Sequence, residues 1–234
     1  MGSDPVLGVR ARARAELTEQ IKAVARRHLA EHGAAGLSLR AVTREVGMVS
    51  SAVYRYFASR DELLTALIVD AYDAVGDAAE RADAARPRED IAGRWRAIAG
   101  AVRDWARANP HEYALVYGSP VPGYVAPADT IDPAGRVALV FLALLADGVE
   151  AGAVDVAPRI ETTRALRQDL ARLRDAAPGV PDAVLARGLL VWTQLFGGIT
   201  FELFGHLHNV IRDHDALFEL QTRQAARVLL HGAR

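Results

Sequence analysis

Cysteine is absent from the 234 residues. That excludes disulfides, thiolate metal sites and a cysteine nucleophile, and it suits a reducing compartment. Long hydrophobic runs are lacking as well. The longest unbroken one, residues 137–146, is too short to span a bilayer. The opening stretch MGSDPVLGVRARARAE holds no apolar core of signal-peptide length. A soluble, cytoplasmic chain without membrane contact is the expectation. No strand-like alternation, internal repeat or low-complexity segment is present. Neither is a glycine-rich phosphate loop, a G-x-S-x-G elbow or a paired-carboxylate signature, so no catalytic residue and no cofactor is expected and the chain does not read as an enzyme. Glu202 and His206 are spaced i, i+4, but His208 falls on a different helix face and no H-E-x-x-H occurs, so no metal site is expected.

What is present is ordinary for a folded protein: 51% apolar and 24% charged residues, enough to bury a sizeable core. Charge is unevenly spread. The first 60 residues carry ten basic side chains against five acidic ones, a balance of +5, whereas the whole chain is at −1. A basic head on an acidic body fits one domain that meets a polyanion and another that stays off it; chance clustering on solvated faces gives the same count.

Helical periodicity runs throughout, and an all-α fold is expected. Leu17, Ile21, Val24, Ala25 and Leu29 form one stripe over residues 16–32, ended by Gly33 and Gly36. Arg10, Arg12 and Arg14 precede it, read either as a flexible basic arm over residues 1–15 that touches DNA or as a solvated tail. In SLRAVTREVGMVSSAVYRYFASRDE, residues 38–62, Ser38 is placed to cap a short helix with Leu39, Val42 and Val46 on one face. Gly47 suits a tight turn, and residues 50–56 can form a second short helix turning Val53 and Phe57 inward. Two short helices joined through glycine are the helix-turn-helix pattern, whose second helix can enter a DNA major groove. Ser59 to Glu62 is a capping box opening a leucine-rich helix to about residue 84.

Further helices are expected over residues 88–108, with Trp95, Ile98, Val102 and Trp105 on one face, and over 111–118. SPVPGYVAP (residues 119–127) is a loop. An apolar helix over 133–151 reads as the buried centre of a second domain. Others are expected over 159–176, 182–211 and from Asp213 or Asp215 to about 230.

Residues 16–71 resemble the DNA-binding domain of TetR-family transcriptional regulators. Gly47, Tyr54, Phe57, Arg60 and Leu63 follow that family's order of G, Y-x-x-F, K or R, and L. Thr43 stands where the family has alanine, and Val49 where it has a Ser or Thr cap, which Ser50 can take over. The resemblance implies a helix-turn-helix domain over residues 16–62 and a regulatory, ligand-binding and dimerisation domain over 63–234. It directs Ser50, Ser51 and Ala52 toward bases, with Arg55 also facing out, and places Tyr54, Tyr56, Ser38 and Arg60 on phosphates, flanked by Arg40 and Arg44. Packing is the competing role for Tyr54 and Tyr56.

The stretch WTQLFGGITFELFGHL (residues 192–207) is similar to a TetR subgroup named for Trp, His and Gly in its penultimate helix. Trp192 and Gly197 match, and Phe196 stands in place of the histidine. By resemblance the protein is a homodimer on a near-palindromic double-stranded DNA operator, a repressor released by a small-molecule effector. An apolar or aromatic effector is expected among Trp95, Trp105, Tyr113, Tyr117, Phe141, Trp192, Phe196 and Phe201, residues that plain core packing explains equally well. Four glycines in the penultimate helix, at 188, 197, 198 and 205, suggest close helix approach across the dimer or room for ligand. A DNA binder without effector, or a helical enzyme or carrier, are the alternatives.

Overall fold

The computed structural model describes residues 5–49, 51–157 and 162–230. They divide into two compact units. The first takes the chain up to Tyr72 and again from Asn109 to Pro133; the second takes Asp73–Ala108 and the chain from Ala134 onward. The regulatory region expected over 63–234 is therefore interrupted, because Asn109–Pro133 belongs with the helix-turn-helix.

In the first unit α1 (Pro5–Gly36) is broken at Gly33, whose φ of 68° is open to glycine without strain. The helix begins at Pro5, so residues 5–15 are its first turns and not an arm preceding it. The second helix, α2 (Leu39–Glu45), is capped by the Ser38 hydroxyl, which accepts from the Ala41 N–H. It ends in a Schellman motif. Gly47, at φ 75°, and Met48 donate to the carbonyls of Arg44 and Thr43 at 3.2 and 3.1 Å. Thr43 is buried where alanine was expected, and its hydroxyl is satisfied by the Leu39 carbonyl at 2.6 Å.

The expected second helix over residues 50–56 is, among the described residues, a single 3₁₀ turn, Val53–Arg55. Ser50 lies outside them. The bonds from Ala52 to Val49 and from Tyr56 to Val53 span three residues, so this segment is wound tighter than an α-helix. Val53 and Phe57 drop into the core formed with Ile21, Val42 and Leu64.

Ser59 caps α3 (Arg60–Ala84) by accepting from the Glu62 N–H at 3.1 Å. The Glu62 carboxylate reaches back one residue further than a standard box, to the Ala58 N–H. After α4 (Ile91–Ala108), which lies in the second unit, the chain returns to the first as α5 (Pro110–Tyr117). Leu115, Val116, Val121 and Tyr124 pack on the helix-turn-helix core. Arg26 donates to Glu112 at 3.1 Å, the Tyr72 hydroxyl to the Val116 carbonyl at 3.0 Å, and Thr65 and Tyr124 share a hydrogen bond at 2.9 Å.

The second unit holds the rest of α3, then α4, α6 (Ile131–Glu150), α7 (Arg164–Asp169), α8 (Ala171–Ala176), α9 (Asp182–Leu203) and α10 (His214–Leu229). The apolar α6 buries Val137, Phe141, Leu142, Leu144 and Leu145 but leaves Leu139 exposed, so it is covered on one side and not all round. The helix expected over 159–176 is two, parted at Leu170. By length and composition α9 is apolar enough to cross a membrane, yet it buries Arg187 in contact with Asp155. It stops at Leu203, short of residue 211. Gly205, at φ 73°, and His206 close a second Schellman motif on the carbonyls of Glu202 and Phe201. Asp213 caps α10 through the Ala216 N–H at 2.8 Å. Among the described residues the sole β feature is an isolated bridge, Val154 to Leu230.

Ionic clusters tie this unit together, among them those around Arg94 and Arg103. Arg94, nearly fully buried, grips both oxygens of Asp83 at 2.8 and 3.0 Å and donates to Asp147 at 2.8 Å. Arg103 grips both oxygens of Glu202 at 2.8 Å and reaches Asp215 at 2.7 Å, with its guanidinium 4.6 Å over the Phe218 ring.

Candidate functional site

The candidate DNA-binding surface lies wholly in the first unit. From α2 come Arg40 and Arg44, both exposed and one helical turn apart. The 3₁₀ turn and its approach bring Ser51, Tyr54 and Arg55 into solvent, with Tyr54 half exposed at 52%. Ala52 and Tyr56 are half-buried. A residue that the candidate set omitted joins this surface: Arg14 of α1 donates to the Arg55 carbonyl at 2.7 Å and lies 5.2 Å over the Tyr56 ring. Its guanidinium pins the first helix to the recognition turn, and its alternation with Arg10 and Arg12 was the sequence signal available for it.

Acidic groups nearby are neutralised internally. Glu45 accepts from Arg27 and His28, both at 2.7 Å, and the Arg27 guanidinium followed by His28 holds its carboxyl below the usual carboxylate range. Asp70 is engaged by Lys22 and Arg26. Arg40, Arg44 and Arg55 and the hydroxyl-bearing Ser51 and Tyr54 are exposed on this surface, residue types that meet phosphates and base edges.

Two candidates are engaged within the chain. Arg60 donates to the Leu37 carbonyl at 2.9 Å and the Ala34 carbonyl at 2.7 Å, and its remaining end meets Asp61 at 3.2 Å. It closes the α1–α2 connection against the start of α3, and its guanidinium is engaged there within the chain. Ser38 caps α2 through its hydroxyl, as its place in the sequence leads one to expect.

The second candidate site is a cavity of about 210 Å³ inside the second unit. One wall is α6, through Ala138, Phe141, Leu142 and Leu145, and Leu173 of α8 closes a side. The opposite wall is α9, through Leu185, Gly188, Leu189 and Trp192. Among the described residues no charged side chain lines it. Gly188 allows the close approach of α9 to α6, since a Cβ there would sit 2.8 Å from Leu145 Cδ1 and push that side chain aside. Gly198 faces Gln221 of α10, whereas among the described residues Gly197 and Gly205 have no neighbour within 4 Å of a Cβ, and Gly205, at positive φ, terminates the helix.

Of the eight aromatic candidates, Phe141 and Trp192 line this cavity. Trp95 packs on Phe141 at 5.5 Å from behind, its indole N–H held by the Thr222 carbonyl at 2.9 Å, and Phe196 packs on Trp192 at 4.6 Å. Trp105 is half-buried on α4, and Phe201 is exposed. Tyr113 and Tyr117 belong to the first unit, packed together at 5.2 Å with Tyr72 edge-on to Tyr117 at 5.9 Å, and burial pushes the Tyr117 hydroxyl well above its usual range. Neither lines this cavity. The aliphatic lining was missed because leucine at helical spacing carries no signal separating a cavity wall from a filled core.

The sequence comparisons bear on both sites. Residues 21–67 match the family described as bacterial regulatory proteins, tetR family, and residues 95–225 match the tetracyclin repressor-like C-terminal domain. The HTH-type transcriptional regulators Rv1816 of Mycobacterium tuberculosis H37Rv and Mb1846 of Mycobacterium bovis are each 44% identical, over 95% of this chain and 96% of theirs. A solved structure described as the regulatory protein SCO4313 is 35% identical, with a TM-score of 0.76 over 92% of this chain and 97% of that one. A protein of unknown function from Rhodococcus sp. RHA1 shares the fold at 23% identity, with a TM-score of 0.71 over 92% and 96% of the two chains. A basic helix-turn-helix unit, a separate helical unit and these matches across nearly the whole length lead to one assignment: the chain belongs to the TetR family of DNA-binding transcriptional regulators.

Proposed function

We propose that this regulator is a ligand-responsive repressor, a homodimer that holds a near-palindromic operator and releases it when a small apolar or aromatic effector enters the second unit. It acts in the cytoplasm, on the chromosome. The observation that carries this reading is the cavity between α6 and α9, about 210 Å³ and lined by apolar side chains. That is smaller than the roughly 300–1,000 Å³ of drug-sized sites, so the effector is compact or slender. An ionic effector would lose its hydration there and gain no partner, which disfavours it strongly.

The dimer is supported by the outward faces of the last two helices. Leu190, Gly197, Phe201 and Phe204 recur along one side of α9, with the first, third and fourth exposed, and α10 adds exposed Leu220 and Val228. Two such helices from each copy make a four-helix bundle. A dimer of this kind carries two recognition turns, which must match the roughly 34–36 Å repeat of the major groove. Arg40, Arg44, Arg55 and Tyr54 would then hold phosphates, while Ser51 and its neighbours read bases.

The test begins by selecting an operator from random DNA. Naphthalene and 1-decanol are then titrated while tryptophan fluorescence and operator release are followed together. The reading expects Trp192 to respond, and DNA to be released, over the same concentration range. Release by highly charged ligands alone would refute it, and a monomer at micromolar concentration by analytical ultracentrifugation would refute the dimer.

A further inference from the structure

Two helices are shared by the two units. The chain of α3 passes from the first to the second between Tyr72 and Asp73, and that of α6 between Pro133 and Ala134. Just inside the second unit, Arg136 of α6 is bound to three acids of α3. Its Nε and Nη2 donate to the two oxygens of Glu80 at 2.9 and 2.7 Å. Its Nη1 donates to the carboxylate and the carbonyl of Asp73 at 2.9 and 3.1 Å, and Nη2 also meets Asp77.

The three acids are spaced i, i+4, i+7 and so share a helix face. Gly76 lies within that contact; a Cβ there would be 2.8 Å from Arg136 Nε and 2.9 Å from Arg136 Cβ. Glycine weakens a helix interior, and here its bare backbone is what lets the guanidinium lie against α3. The Arg136 hydrogen bonds hold the Asp77 and Glu80 carboxyls below their usual range, which favours the ionised form of both. Two residues along α6 from Arg136, Ala138 begins the cavity wall.

We propose that Arg136 is the coupling residue of this regulator, fixing the register of the cavity wall α6 against α3 so that occupancy of the cavity is carried into the two helices that continue into the DNA-binding unit. The inference rests on the ligand-responsive reading above. A partly exposed ion cluster adds little to stability; its contribution is positional. The planar guanidinium fork meets carboxylates on successive turns of α3 in one arrangement, and displacement of α6 must move α3 with it or break the bonds. Lysine offers a point charge without the fork.

A double-mutant cycle on the full-length protein tests this without knowledge of the natural effector. Ala138→Phe places a ring in the cavity as a built-in occupant, and Leu173→Trp supplies a second filler from α8 should the first fail to fold. Affinity for the selected operator is read by fluorescence anisotropy, and fold and dimer by circular dichroism and ultracentrifugation. The expected result is that a filler weakens operator binding at least tenfold in the wild-type background. In Arg136→Ala and in Arg136→Lys, each within threefold of wild type alone, the same filler changes affinity less than threefold. A merely structural Arg136 would lower Tm and leave the filler's effect intact, and that result overturns the inference while the ligand-responsive reading stands. If neither filler, naphthalene nor 1-decanol alters operator affinity of the folded wild-type background, the reading falls and the inference with it.

Discussion

Replacing Arg103 by alanine should be among the more destabilising single changes in the second unit. The guanidinium grips both oxygens of Glu202 at 2.8 Å, with Arg103 at 7% and Glu202 at 14% side-chain exposure. Removing one partner of a buried pair leaves the other's charge uncompensated, which costs about 3–5 kcal/mol. Loss of the cation–π contact with Phe218 adds about 0.5–1 kcal/mol. Against this, Arg107 stands 3.7 Å from the same carboxylate and is half exposed, so it can swing in. The low end therefore applies, about 3 kcal/mol, or roughly 6–12 °C in Tm for a chain of this size. The assay is urea and thermal unfolding at fixed protein concentration, because a dimer's stability depends on concentration. The double change Arg103→Met with Glu202→Leu removes both charges and should recover most of the loss. Single changes that each cost under about 1 kcal/mol would refute the view that this pair anchors the end of α9 to α4.

Three other outcomes follow from the geometry. Arg60→Ala should cost about 1–2 kcal/mol through its lost carbonyl bonds, seen in thermal unfolding, while the salt slope of operator binding stays as in wild type; Arg44→Ala should spare stability and reduce that slope by about one. Gly188→Ala should cost about 1–3 kcal/mol and weaken naphthalene binding by tryptophan fluorescence, since the new methyl group enters the cavity wall against Leu145. Glu45 has a folded-state pKa lowered first by Arg27 and then by His28, so its contribution is complete above the usual glutamate range and is lost as pH falls through the depressed value; Glu45→Gln should flatten the acid side of the stability profile measured by urea midpoint between about pH 6 and 3.

The sequence by itself determined what is settled within a turn or two of helix. The Ser38 and Asp213 caps, the Ser59 cap with its returning Glu62 and the Gly47 turn each depend on partners no more than five residues away. The inward Val53 and Phe57 follow from spacing alone, and the order of Gly47, Tyr54, Phe57, Arg60 and Leu63 was enough to recognise the family. The same local reading could not place the end of α9. Gly205 inside an apolar run looks like a tolerated glycine until its positive φ is seen.

Everything that joins distant segments was decided by the tertiary structure. Arg26 meets Glu112 across 86 positions, Arg103 meets Glu202 across 99 and Arg136 meets Glu80 across 56. A charged residue on a solvated helix face and one aimed at a partner have the same spacing in sequence, so neither the carbonyl bonds of Arg60 nor the acids around Arg136 were legible there. Aromatic residues behaved alike: Trp192 and Tyr117 are equally good core formers, and only the route of the chain puts one beside a cavity and the other under the recognition turn's own unit. Helix faces record that a side chain must be buried, because the free energy of leaving water is local to that side chain. They do not record against what, because that depends on which other faces the chain brings to meet it.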